Sequence, residues 1–199
     1  MLEETLKNLG KAFIGESQAR NRYSFYSKQA LKDGYPQLSD IFALTAEQER
    51  EHAKQLLLMI QDVRERAKKA GIKLPEENIV EAKAETFLGD SKSNLAAAIA
   101  GEHYENISMY PTFAQIAEKE GLVDIAGRLK SIAVAEKHHE ERYLKFIEGI
   151  EKETLWKKDK VITWTCRECG YVHVGKEPPK VCPACKHDTS FYQVKCEEY

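Results

Sequence analysis

AEQEREHAKQLL, residues 46–57, and AVAEKHHEERY, residues 133–143, decide the fold. Each holds a Glu-x-x-His pair, Glu49 with His52 and Glu136 with His139, among residues that otherwise favour helix. Alternating steps of three and four residues trace the inward stripe of a bundle helix. Outward from the first pair the stripe reads Leu38, Phe42 and Thr45 on one side and Leu56, Met59 and Val63 on the other. From the second pair it reads Ile125, Leu129 and Ile132, then Tyr143, Phe146 and Ile150. Carboxylate and imidazole thus sit on the apolar seam of two amphipathic helices.

Two further segments show the same anomaly. One stripe runs Leu2, Leu6, Leu9, Phe13 and Glu16, then past Arg20 to Tyr23; another runs Leu95, Ala98, Glu102, Glu105, Met109, Phe113 and Ile116. Gly34, Tyr35 and Pro36 separate the first helix from the second, and Glu120, Gly121 and Leu122 mark a tight turn into the fourth. Between the second and third lies a less periodic stretch, residues 71–93. Two short connections and one long central crossover predict an all-α, ferritin-like four-helix bundle with helices two and three parallel. Pro111, which lacks a backbone donor, predicts a kink in helix three just past its glutamates.

Ionised carboxylates in a dry core are costly, and several close together cost more. Bound divalent cations neutralise them and fix their geometry. A lone Glu-x-x-His arises often by chance; five glutamates and two histidines in phase with four stripes, at matching depth, do not. Glu16, Glu49, His52, Glu102, Glu105, Glu136 and His139 are therefore the expected ligands of a two-metal site, a donor set used by di-iron carboxylate bundles. His103 and His138 lie about 100° off the seam and belong to the surface or to outer support.

Beyond Trp156 the composition turns to Cys, Pro, Gly, Val and Tyr, which reads as short strands and turns. The expected division is a bundle over 1–152 and a small metal domain over 153–199. All five cysteines lie after position 165. Cys166-x-x-Cys169 and Cys182-x-x-Cys185, with twelve residues between the inner pair, have the spacing of tetrahedral thiolate coordination. Spacing alone leaves zinc and iron open. Cys196 falls outside the motif, Trp164, Tyr171 and Phe191 are candidates for the domain's core, and His173 and His187 are expected at the surface.

The 199 residues carry 31% charged side chains that balance to a formal net charge of −2. That excludes the one-signed footprint of a nucleic-acid or membrane-surface binder. No apolar run approaches the ~20 residues that span a bilayer. The N-terminus, MLEETLKNLGKAF, lacks the pattern of a secretory signal, so a cytoplasmic location is expected.

IGESQARNRYSFYSKQA (14–30), AEQEREHAKQLL (46–57), IAGEHYENISMYPTFAQIAEKEG (99–121) and AVAEKHHEERY (133–143) closely resemble segments of the rubrerythrins. The resemblance extends to the four-cysteine tail, whose CGY and CPAC resemble rubredoxin knuckles, although CREC departs from the proline-containing form usual there. It implies two irons in the bundle and one in a rubredoxin-like site of four cysteines, with zinc a substitute in recombinant material. By resemblance Glu49 and Glu136 bridge, Glu16 is terminal on one iron, and Glu102 with His139 on the other. Glu105 and His52 would exchange on the first iron between oxidised and reduced states, since ferric iron prefers carboxylate oxygen and ferrous iron accepts imidazole nitrogen. Tyr23 and Tyr110 resemble tyrosines whose hydroxyls hold the ligating carboxylates, completing with Glu105 and His52 the residues expected to act in catalysis.

A four-thiolate iron leaves no open position for substrate and transfers single electrons. A two-metal site with labile carboxylates delivers two together. The resemblance implies a peroxidase that reduces hydrogen peroxide to water, recharged by an electron-donor redox protein (rubredoxin or its reductase) linked to NAD(P)H, and working as a homodimer. No G-x-G-x-x-G loop is present, so the chain is not expected to bind the nicotinamide itself. The rival readings are a ferritin-type ferroxidase, which has no use for the tail, and a zinc-ribbon interaction module attached to a bundle.

Overall fold

The computed structural model describes residues 2–197. Helix α1 spans Glu3–Lys32 and α2 Pro36–Lys69. Between them Gly34 adopts φ +82°, a conformation that closes the α1 C-terminus and that glycine reaches without a Cβ penalty. Pro36 then starts α2 at a position where its missing N–H costs nothing. An irregular crossover follows. Asn78 Nδ2 ties it to the carbonyl of Leu6 at 2.8 Å. It ends at Asp90, whose side chain caps α3 by accepting from the Ser93 amide at 2.8 Å.

The third bundle helix is continuous but not uniform. Helix α3, Ser91–Tyr104, passes into a π turn, Glu105–Met109, and then into α4, Tyr110–Lys119. The Tyr110 amide donates to the carbonyl of Glu105, five residues back, which defines the wider turn. Pro111 sits in the first turn of α4, and the irregularity just ahead of it is this π turn. The consequence is a phase shift. Eight residues separate Glu102 from Tyr110, about 80° out of phase in an uninterrupted α-helix. The extra residue returns Tyr110 to the core face, and the buried stripe beyond Met109 becomes Tyr110, Ala114 and Ala117 rather than Phe113 and Ile116. Helix α5, Val123–Glu151, completes the bundle.

The apolar core is divided into two parts, one above and one below a belt of buried glutamates. Leu6, Leu9, Met59, Ile125 and Leu129 fill one end. Tyr23, Tyr26, Phe42, Tyr143 and Phe146 fill the other. Among the described residues no helix is long and apolar enough to cross a membrane.

After α5 the chain forms a three-stranded antiparallel sheet in the order β2-β1-β3, with β1 at Ile162–Cys166, β2 at Val172–Gly175 and β3 at Tyr192–Val194. Its core is Trp164, Tyr192, Cys166 and Cys182, with Trp156, Ile162 and Cys185 packed against them. Tyr192 takes the place expected of Tyr171, which is 37% exposed, because Tyr192 follows the inward register of β3 while Tyr171 lies on the knuckle. The tail meets the bundle at the α1–α2 turn. Trp156 stacks on Tyr35 with ring centroids 6.0 Å apart and planes 8° from parallel, and donates its Nε1–H to the Tyr192 carbonyl at 3.2 Å. Arg167 pairs with Asp40 and with the Gln193 side chain.

Candidate metal centre

Glu16 from α1, Glu49 and His52 from α2, Glu102 from α3, and Glu136 and His139 from α5 converge at mid-bundle. Their ligand atoms form two overlapping groups, Glu16–Glu49–His52–Glu136 and Glu49–Glu102–Glu136–His139, each with all donors within 4.8 Å of one another. Glu49 and Glu136 belong to both, and their oxygens are divided between them. Glu49 places Oε2 2.9 Å from His52 Nδ1 and Oε1 3.0 Å from His139 Nδ1. Glu136 places Oε1 3.0 Å from His52 Nδ1 and Oε2 2.9 Å from His139 Nδ1. Glu16 Oε2 completes one group at 3.8 Å from His52, and Glu102 Oε2 the other at 3.4 Å from His139.

These donors face each other without satisfying each other. Glu16 Oε2, Glu49 Oε1, Glu102 Oε2, both oxygens of Glu136 and His139 Nδ1 are buried without a hydrogen-bond partner. Orphaned buried acceptors cost about 1–3 kcal/mol each, more when charged, so their convergence fits two cations held by oxygen and nitrogen. Without cations the cluster retains protons. Burial, then the charges of Glu136 and Glu49, push the Glu16 carboxyl well up; burial pushes Glu102 up to about 8. Burial also acts upward on Glu49, but the imidazoles of His139 and His52 facing it outweigh that and bring the carboxyl down to about 2. Burial opposes a proton on His139, yet Glu102, Glu136 and Glu49 together raise it to about 11.

Two tyrosines anchor the outer carboxylates in a crossed pattern. Tyr23 of α1 donates its hydroxyl to Glu102 Oε1 of α3 at 2.5 Å, and Tyr110 of α4 donates to Glu16 Oε1 of α1. Burial and the facing carboxylates push both phenols well above their ordinary range, so both remain donors. Tyr110 reaches Glu16 only because of the π turn.

Glu105 stands apart. It opens the π turn, lies outside both groups, and is half-buried over Gly15, where a Cβ would lie 3.7 Å from Glu105 Oε1. Burial, then Glu16 and Glu102, push its carboxyl well up. His103 is exposed and donates its Nδ1–H to Glu140 at 2.8 Å, and His138 is exposed. Sequence reasoning overlooked Glu140, which holds His103, and Arg142, whose Nη2 donates to Thr45 Oγ1 at 2.7 Å between the two Glu-x-x-His helices.

In the tail, Cys166, Cys169, Cys182 and Cys185 form a third group. Sγ–Sγ separations of 3.7 Å for Cys166–Cys185 and Cys169–Cys182 exclude a disulfide and match the edge of a tetrahedron with metal–sulfur bonds of about 2.3 Å. The knuckles are alike in backbone. Gly170 at φ +75° and Lys186 at φ +67° each send an amide back, to the carbonyls of Cys166 at 2.9 Å and Cys182 at 3.0 Å. His187 is not a surface residue as expected. It is half-buried against Phe191, with Nδ1 3.4 Å from Cys185 Sγ, because the turn after the second knuckle folds over the cluster. His173 is likewise half-buried, in β2, and Cys196 is exposed away from the cluster.

The sequence matches the family model described as Rubrerythrin over residues 7–147 and that described as the rubredoxin-like domain of rubrerythrin over 164–193. It is 52% identical over 198 residues to a putative rubrerythrin of Methanocaldococcus jannaschii, covering 100% of this chain and 96% of that one. It is 45% identical over 190 residues to the rubrerythrin of Nitratidesulfovibrio vulgaris, covering 96% and 93%. A solved structure of fully reduced, all-ferrous nigerythrin superposes with TM-score 0.61 at 28% identity, covering 96% of this chain and 86% of that one. A mycobacterial bacterioferritin at 18% identity, TM-score 0.54, covering 74% and 85%, shares the bundle fold.

Proposed function

Because the chain belongs to the rubrerythrin family, we propose that it is a non-haem di-iron peroxidase that reduces hydrogen peroxide to water in the cytoplasm. The observation that carries this reading is the division of the Glu49 and Glu136 oxygens between two four-ligand groups, joined in one chain to a four-cysteine group. Bound at the bundle site, a pair of irons supplies two electrons to one small oxidant: H2O2 + 2 e⁻ + 2 H⁺ gives 2 H2O. Glu16, Glu49, His52 and Glu136 would hold one iron, and Glu49, Glu102, Glu136 and His139 the other. Tyr23 and Tyr110 keep Glu102 and Glu16 aimed inward. Glu105 is the alternative donor to His52 beside Glu16, and its place on a π turn suits a side chain that changes partners. Cys166, Cys169, Cys182 and Cys185 would hold the iron that relays single electrons from a rubredoxin or its NAD(P)H-linked reductase, with the subunits acting as a homodimer.

Substituting Glu136→Ala removes one shared carboxylate and should abolish peroxide turnover while the tail still binds iron. Full activity in that variant, at confirmed metal content, would sink the assignment. Oxidation of Fe²⁺ without peroxide turnover in the unmodified protein would instead favour a ferroxidase.

A further inference from the structure

A cavity of about 600 Å³ opens beside the metal belt, between α1, the crossover and α3. Its walls include Gly15 and Arg22 from α1, Ala97 and Gly101 from α3, Met109 at the end of the π turn and Phe113 of α4; Glu105 lies among them. Hydrogen peroxide occupies little more than a water or two, and water takes about 30 Å³ in the liquid. The cavity is thus about twenty times one water and falls within the roughly 300–1,000 Å³ of sites for small organic ligands. Its size is built in by small residues. A Cβ at Gly101 would meet only Arg22 Nη2, at 3.9 Å, and Ala97 adds no more than a methyl.

The roof is fixed rather than loose. Gln18 clamps the crossover backbone from both sides of one amide, donating to the Lys83 carbonyl at 3.2 Å and accepting from the Glu85 amide at 2.9 Å. Arg22 reaches Glu85 at 4.0 Å, with its Nε buried and without a partner. No hydrogen-bonding partner holds the Glu105 carboxylate among the described residues, so a hydroxyl-bearing ligand can meet it from this cavity.

We propose that this cavity is a substrate vestibule and that the enzyme also reduces alkyl hydroperoxides of the size of tert-butyl or cumene hydroperoxide. The alkyl group would lie against Ala97, Met109 and Phe113, with the O–O group toward Glu105. The inference rests on the peroxidase reading of the same site. The O–O bond breaks, ROOH + 2 e⁻ + 2 H⁺ gives ROH + H2O, the electrons come from the same NAD(P)H-linked redox protein, and the protons come from solvent.

The test compares kcat/KM for hydrogen peroxide and cumene hydroperoxide in the metal-loaded wild-type protein and in Ala97→Leu and Ala100→Leu, which add side chains to the cavity wall without touching a ligand. Ala100 is exposed on α3 and leucine is a good helix former, so this second variant keeps the test valid if Ala97→Leu misfolds. Binding of 2-phenyl-2-propanol, the product alcohol, is followed in parallel by calorimetry. The vestibule requires turnover of both peroxides in wild type, a tenfold or greater loss for cumene hydroperoxide in a filled variant with hydrogen peroxide within threefold, and loss of the alcohol's saturable binding. Turnover of hydrogen peroxide alone, or equal sensitivity of both substrates, overturns the vestibule and leaves the peroxidase reading intact. Absence of turnover with either peroxide overturns the peroxidase reading itself.

Discussion

Tyr23→Phe and Tyr110→Phe should weaken different metals. The crossed hydrogen bonds assign Tyr23 to Glu102, in the group with His139, and Tyr110 to Glu16, in the group with His52. Phenylalanine keeps the ring that packs on Phe42 and Tyr143 at 5.8 Å in each case, so the Tyr23 change removes a donor without opening a cavity. A hydrogen bond to a charged acceptor contributes about 1.5–3 kcal/mol. Removing such an outer partner costs about 10–100-fold in metal affinity, or about 1.4–2.8 kcal/mol at about 1.4 kcal/mol per decade. The two estimates agree.

Each variant should therefore lose about one to two decades of affinity at one position and stay within about threefold at the other. Anaerobic Fe²⁺ titration against a competing chelator measures the two constants. Anomalous diffraction from crystals loaded below saturation identifies which group loses its ion. If both variants deplete the same group, or neither shifts an affinity beyond threefold, the tyrosines are ordinary core residues and the supporting role fails.

In the metal-free chain, Glu102 raised to about 8 costs stability as pH climbs from its free value of 4.5, and His139 raised to about 11 loses its contribution above 6.5. The metal-free Tm should fall between pH 6 and 9 while metal binding, which needs both groups deprotonated, tightens; a Tm gap between loaded and metal-free protein that does not widen refutes this. A Cys166→Ser, Cys169→Ser variant should lose the red colour of ferric tail iron while circular dichroism and bundle metal content stay unchanged, because the bundle has its own cores; loss of bundle helicity would show that the domains fold as one. Trp156→Ala should free the tail from Tyr35 and raise the rate of limited proteolysis in residues 152–161 several-fold, with both metal spectra intact; an unchanged cleavage rate would mean that Arg167 and Asp40 suffice.

What the sequence made legible was whatever repeats with a helical period. The seams of α1, α2 and α5 run through Glu16, Glu49, His52, Glu136 and His139 as the spacing requires; four of these are buried and His52 is half-buried. The period misled only where the helix itself changed. Residues Glu105–Met109 contain no glycine or proline to announce a wider turn, so Phe113 and Ile116 fell on the seam in place of Tyr110, Ala114 and Ala117. The Glu102–Tyr110 separation carried a signal, since a tyrosine facing the site at that spacing needs an extra residue. Contacts between distant segments left no periodic trace. Trp156 on Tyr35, Arg167 on Asp40 and His187 on Cys185 depend on how the tail folds, which local spacing does not encode.

The tail's placement sharpens the question of which bundle it serves. A straight linker would carry the cysteines away from the site, beyond roughly 18 Å of helix between His139 and Glu151. Instead the chain folds back so that Arg167, next to Cys166, touches Asp40. Asp40 still lies about 13–14 Å along α2 from Glu49, and the Arg167 side chain adds lateral distance. An antiparallel partner related by a two-fold axis would set its own tail beside this bundle, and symmetry would do so twice. We expect transfer between subunits. Mixing a chain lacking Cys166 and Cys169 with one lacking Glu49 and Glu136 gives heterodimers that hold one intact tail and one intact bundle on different chains. Recovery of peroxidase activity in isolated heterodimers supports the crossing. Inactive heterodimers, together with activity when a wild-type chain is paired with one defective at both sites, would place the path within a single chain, from the cysteines past Trp156 and Tyr35 into the aromatic core around Tyr23.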